Sequence, residues 1–154
     1  MAMAPPSVRV LARYCSHNDT GRPMAQRSVA LKNIADGDIF HGRPPKGTAS
    51  FICLALQVRE RTIFARRITT QSVHEFDRTT GVEVDSNPVV INSVAPLPAD
   101  IREILLGLDR KYREAEYRRA EDPDWRLPED EAKLTKDEIR ALLFVGKFYE
   151  ENPI

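Results

Sequence analysis

The spacing of apolar residues changes once along this chain, near Pro96–Pro98, and that change confines it to an α+β fold. Before these prolines the apolar residues alternate or form short runs, as in strands; after them they recur at three- and four-residue steps, as along one face of a helix. Val8–Tyr14 alternates and predicts a strand, followed by a polar loop over 15–26. Ser28–Ile34 predicts a second strand, closed by Ala35-Asp36-Gly37-Asp38, where Gly37 tolerates positive φ. Ile39-Phe40 begins a short third strand, and residues 41–47, with two glycines and two prolines, read as an exposed basic loop.

The clearest hairpin lies further along. Phe51–Val58 is a nearly continuous apolar run, which suits a central strand buried on both faces. Arg59-Glu60 makes the turn and Arg61–Thr69 returns. A second hairpin is expected from Ser72–Phe76 to Val82–Val84 around Asp77 and Gly81, and Pro88–Ile91 supplies the last strand.

The helical part has two long elements. Asp100 to Arg119 carries Ile101, Ile104, Leu105, Leu108, Tyr112 and Ala115 on one face, with Pro98 suited to the entry and Gly107 unfavourable inside unless a neighbour packs closely there. An acidic linker, 121–131, holds the single tryptophan. Thr135 and Glu138 have the spacing of a capping box, with Leu134 and Ile139 placed for a hydrophobic staple. The following Ala141–Val145 run is apolar nearly all round, so this helix is expected to be buried on more than one side, and Asn152-Pro153 stops it.

These elements predict a small antiparallel β-barrel or strongly twisted meander sheet followed by two C-terminal helices packed on it. Residues 1–7 read as a disordered leader and 8–154 as a single domain, with a β-rich part over 8–95 and a helical part over 98–151. No apolar run approaches the roughly 20 residues of a membrane span, so no membrane role is expected. Two isolated cysteines, with no signal-like start, predict a reducing, cytoplasmic setting. Net charge is zero but unevenly spread. Residues 1–97 hold 12 Lys+Arg against 8 Asp+Glu, a balance of +4, whereas residues 98–154 hold 11 against 15, a balance of −4. The expected arrangement is a basic sheet under an acidic helical cover.

The chain shows no phosphate-cradling glycine loop, nucleotide fingerprint or nucleophile elbow, and no spaced Cys/His pairs for zinc, so no cofactor and no metal are expected. Among catalytic candidates, Cys15 stands two residues from His17, with Asp19 placed to orient the imidazole, as an activated thiol would require. His41, with Arg43 and Lys46 in the same loop, could grip a phosphate or act as general acid. Arg59, Arg61, Arg66 and Arg67 form an arginine-rich hairpin suited to a nucleic-acid backbone or an acidic protein surface, but strand parity sends Arg66 to the face opposite Arg61 and Arg67. His74 and Phe76 share one face while Glu75 and Asp77 share the other, so these neighbouring carboxylates do not meet the imidazole and Asp77 is expected to close the turn. Trp125, in its acidic frame, is a partner anchor or a cover for the core.

With no converged catalytic set, the expected function is a non-enzymatic binding or regulatory module acting through a protein partner. The alternative is a nucleic-acid-binding protein or small nuclease or hydrolase using His41 and the arginine hairpin. A homodimer formed through the C-terminal helix is a third expectation, prompted by that helix's broad apolar surface.

Overall fold

The computed structural model describes residues 21–47 and 50–154. The leader, the expected strand Val8–Tyr14 and the Cys15–His17–Asp19 cluster lie outside them. The described elements run α1 (Gly21–Lys32), β1 (Ile39–Arg43), β2 (Phe51–Val58), β3 (Thr62–Arg67), β4 (Val73–Asp77), β5 (Val90–Ser93), α2 (Ala99–Glu121), α3 (Glu129–Ala132) and α4 (Lys136–Glu151). The fold is α+β: a five-stranded antiparallel half-barrel in the order β4-β3-β2-β1-β5, followed by the C-terminal helices.

The half-barrel is drawn together by residues 81–84, of which 82–84 were expected to be a strand but pair only through isolated bridges. Glu83 bridges Phe76 of β4, and Val82 bridges Val90 of β5. Backbone bonds from Val84 N to Glu75 O and from Ile91 N to Gly81 O, both 2.8 Å, tie this segment to both sheet edges. Asp77 closes the preceding turn as expected, its carboxylate accepting from Thr79 N and Thr80 N at 2.8 and 2.9 Å. Gly81, at φ +73°, takes the left-handed position that ends it.

The central strand is buried on both faces over Ile52–Ala55, as its apolar run predicts, but its second half is not: Leu56 and Gln57 are exposed. Cys53 and Ala55 face the barrel interior with Phe40, Ile63, Ala65, Phe76 and Ile91. Ile52 and Leu54 face outward against Ile101, Leu105, Leu108, Val145 and Tyr149 of α2 and α4. Burying each such side chain is worth about 1.5–3 kcal/mol, so two apolar layers share one sheet.

Three local expectations are corrected. Ser28–Lys32 is helical rather than a strand, and residues 21–26 begin that helix rather than continuing a loop. The reason is visible in the burial pattern: Arg27, Ala30 and Leu31, at steps of three and four, are the less exposed positions, while Ser28 and Val29 are exposed. Second, the basic loop starts later than expected because β1 continues through Arg43. Gly42 belongs to the strand, where a Cβ would come within 2.6 Å of Val89 Cγ1. Here glycine marks close packing, not a loop. Third, α4 is buried on one face only: Ala141, Val145 and Tyr149 are inside, whereas Leu143 is 72% exposed.

The helical part otherwise follows its sequence signals. Thr135 and Glu138 make the reciprocal capping box, at 2.9 Å from Thr135 N to Glu138 Oε1 and 3.1 Å from Glu138 N to Thr135 Oγ1. Glu138 also accepts from Lys111 Nζ at 3.2 Å, tying the start of α4 to α2. Gly107 has no close packing neighbour: a Cβ there meets only Arg110 Nη2 at 3.7 Å, an ordinary contact.

Candidate functional site

The expected basic surface is divided by the sheet. Arg66 points outward to α2, where its Nε and Nη2 donate to Asp109 Oδ1 and Oδ2 at 2.9 and 2.8 Å. Gln71 Nε2 adds a bond to Oδ1 at 3.0 Å and Arg113 Nη1 one to Oδ2 at 3.2 Å. Arg67 points the other way, its guanidinium stacked 3.9 Å over the Phe51 ring. Arg59 and Arg61 remain exposed, Arg59 lying 5.2 Å from the Phe64 ring centroid. Parity alone splits the set, and the Asp109 carboxylate consumes one member of it. Among the described residues, this bidentate pair is the ion pair that joins the sheet to a helix.

His41 is not on a mobile basic loop. It lies in β1, 3% exposed, with its ring stacked on Tyr149 at a centroid distance of 5.5 Å. Its Nδ1 is bonded to Asn92 Oδ1, and its Nε2 is buried with no partner among the described residues. Burial pushes its pKa down, outweighing the Asn92 bond, and Arg43 adds to the depression while Glu150 opposes it. Such an imidazole is held neutral, away from any phosphate arriving from solvent. Arg43 and Lys46 are exposed, so His41 and the loop cations are not brought together at one surface.

Trp125 is half-buried, with Arg118 of α2 5.4 Å from its ring centroid. It therefore packs against the end of the preceding helix, α2. Cys53 is fully buried, and burial pushes its thiol up to about 12, Arg67 and Glu83 acting in opposite directions as smaller influences. It is an inert core residue. Among the described residues no group of three or more His, Cys, Asp and Glu side chains could hold a metal ion, and no helix is long and apolar enough to cross a membrane.

Two other features stand out. The first is the outer face of α4, where Lys136, Ile139, Arg140, Leu143 and Phe144 line a shallow depression of about 490 Å³. Ile139, Leu143 and Phe144 are all exposed. Positions 136, 139, 143, 146 and 150 alternate steps of three and four and so form one seam along the helix. At Gly146 a Cβ would meet nothing within 4 Å. A mid-helix glycine costs about 1 kcal/mol relative to alanine, and no packing within the described chain uses the space.

The second feature is a hydrogen-bond chain at one end of the half-barrel. Ser72 Oγ lies 2.8 Å from His74 Nε2, and His74 Nδ1 lies 2.6 Å from Glu83 Oε2. Sequence reasoning compared His74 only with its immediate neighbours and missed Glu83. The signal was present in the expected hairpin, since a turn over 77–81 brings the segment after it alongside β4. Comparison with protein families, with curated proteins and with solved structures finds no match to this chain.

Proposed function

We propose that the protein is a binding module acting through protein–protein contacts, that its contact surface is the outer face of α4, and that the first occupant of that surface is a second copy of the chain. The observation that carries this reading is the seam Lys136–Ile139–Leu143–Gly146–Glu150, apolar at its centre, oppositely charged at its ends and open at Gly146. Two such helices, packed antiparallel about a two-fold axis at Leu143, put Leu143 against its own copy and Lys136 opposite Glu150 at both ends. Arg140 then crosses the second copy at Gly146, where the missing side chain lets the helices approach. Charge complementarity and glycine placement both favour this antiparallel pairing over a parallel one, which would set like charges together.

One helix face is a small interface against the roughly 1,200–2,000 Å² of a stable complex, so the association is expected to be weak and concentration-dependent. Sedimentation across a concentration series tests it. The parent chain should approach twice the mass of one chain at high concentration, and Leu143→Glu, which sets two carboxylates face to face, should stay monomeric with an unchanged melting temperature. A parent chain that remains monomeric throughout sinks the reading.

A further inference from the structure

The chain Ser72–His74–Glu83 has the connectivity of a nucleophile, a base and an orienting acid, and we infer that it activates Ser72 for acyl transfer, a function beyond the binding role proposed above. Each link has a structural cause. Residues two apart on a strand share a face, so Ser72, at the entry to β4, reaches the same side as His74. The segment 81–84 then lays Glu83 against Phe76 and inside the half-barrel, where it is largely buried. Its Oε1 accepts from Val89 N at 3.1 Å, which leaves Oε2 aimed at the imidazole.

A carboxylate can only accept, so Glu83 selects the tautomer with the proton on Nδ1. Nε2 is then the bare nitrogen, 2.8 Å from the Ser72 hydroxyl. Thr70 Oγ1, also 2.8 Å from Ser72 Oγ, holds the hydroxyl from its other side. Phe51 meets the His74 ring edge-on at 5.4 Å and restrains its rotation. Arg67 is the cross-strand neighbour of Ser72, donating its backbone N–H to Ser72 O at 2.8 Å, and its guanidinium stacks on that same Phe51 ring. Cross-strand neighbours share a face, so the Arg67 and Ser72 side chains leave the same side of the sheet, with the guanidinium donating to Ser50 O at 3.1 Å.

Ser72 is exposed at the strand entry, so the chemistry fits small esters that reach a surface serine. In the acylation step Ser72 Oγ bonds the ester carbonyl carbon and its proton passes to His74 Nε2. The carbon–oxygen bond to the alcohol breaks, and the leaving oxygen takes that proton. Water then attacks the acyl-serine in the same way, giving the carboxylic acid and restoring the hydroxyl. Water is the only co-reactant. Ser72 and His74 are the catalytic residues, and Glu83 is a positioning residue.

A fluorophosphonate probe tests the proposal on the full chain: the oxygen of an activated serine bonds its phosphorus, fluoride leaves to solvent and the hydroxyl proton passes to the base. Intact mass and peptide mapping should show one adduct, on Ser72. Ser72→Ala, at an exposed position, should fold normally and lose it, and His74→Gln should slow labelling about 100-fold or more. Imidazole nitrogen shifts should show the His74 proton on Nδ1 in the parent chain and not in Glu83→Gln. This readout needs no labelling and decides the matter if His74→Gln fails to fold. No adduct on Ser72, an adduct formed as fast in a folded His74→Gln, or a parent imidazole protonated on Nε2 overturns the proposal.

Discussion

Replacing Asp109 with alanine is expected to destabilise the protein by about 3–5 kcal/mol, the range for breaking a buried ion pair by removing one partner. The carboxylate is 1% exposed, in the middle of α2, and accepts four hydrogen bonds from Arg66, Gln71 and Arg113. Without it the Arg66 guanidinium stays in place, largely buried between the sheet and α2, with no counter-charge. Loss of the Gln71 bond matters separately. Gln71 is a non-glycine residue at φ +64°, a conformation disfavoured by about 1–3 kcal/mol that persists only when surrounding bonds hold it. Its side chain is held by Asp109 and by Ile68 O at 2.9 Å. Asp109→Ala should therefore also loosen the turn that leads into Ser72. Replacing Arg66 and Asp109 together with apolar residues of similar volume should recover most of the loss, since the cost lies in the stranded charge. Urea unfolding of the single and double variants measures both effects.

The same pair predicts an acid dependence. Burial pushes the Asp109 carboxyl up, but the Arg66 and Gln71 hydrogen bonds and the charges of Arg66 and Arg113 together hold it below its usual value of 3.8. A carboxyl with a lowered folded-state pKa binds its proton more readily in the unfolded chain. Its contribution is therefore present above about pH 4 and drains away as pH falls through the folded value. Asp109→Asn should unfold with a shallower loss of stability over that acidic window.

Tyr149→Ala should cost a similar amount, about 3–5 kcal/mol, as expected for truncating a large buried ring. Tyr149 is fully buried on α4, stacks on His41 and donates its hydroxyl to Ile39 O at 3.2 Å. It is the point at which α4 is pinned to β1. Emptying the site uncovers His41, whose Nε2 has no partner among the described residues, and frees the helix on which the proposed contact surface depends. Tyr149→Phe keeps the ring and loses only the hydroxyl bond, so it should cost about 1 kcal/mol. Denaturant unfolding of the pair separates packing from hydrogen bonding.

How far the fold was legible depends on the range of the forces involved. The change of apolar period at Pro96–Pro98, the central strand Phe51–Val58 (doubly buried over Ile52–Ala55) and the Thr135–Glu138 cap are local patterns, and each is present in the structure. The segment 28–32 misled because a short stretch containing Val29 and Leu31 resembles a strand until burial shows that Arg27, Ala30 and Leu31 are the less exposed positions. Gly42 and His41 misled because loop chemistry and tight packing both favour glycine, and only the sheet register tells them apart. The site features were the least legible. Glu83 meets His74 only because residues 81–84 bridge the sheet edges, and Asp109 meets Arg66 across a sheet-to-helix contact 43 residues apart in sequence. A carboxylate beside Leu105, Leu108 and Tyr112 on an apolar helix face was the available sign that Asp109 needs a buried cation.

The binding reading stands on the geometry of two α4 helices meeting at Leu143, and a cysteine placed on the axis tests that geometry most directly. Leu143→Cys and, as an exposed control on α2, Tyr117→Cys are each prepared with Cys15 replaced by serine and oxidised at equal concentration; Cys53 is buried and takes no part. The antiparallel pairing brings position 143 of one copy against position 143 of the other, so Leu143→Cys should convert rapidly to a covalent dimer while Tyr117→Cys remains largely monomeric. Equal rates of cross-linking at the two positions would contradict α4 pairing and, with it, the assignment of this face as the contact surface.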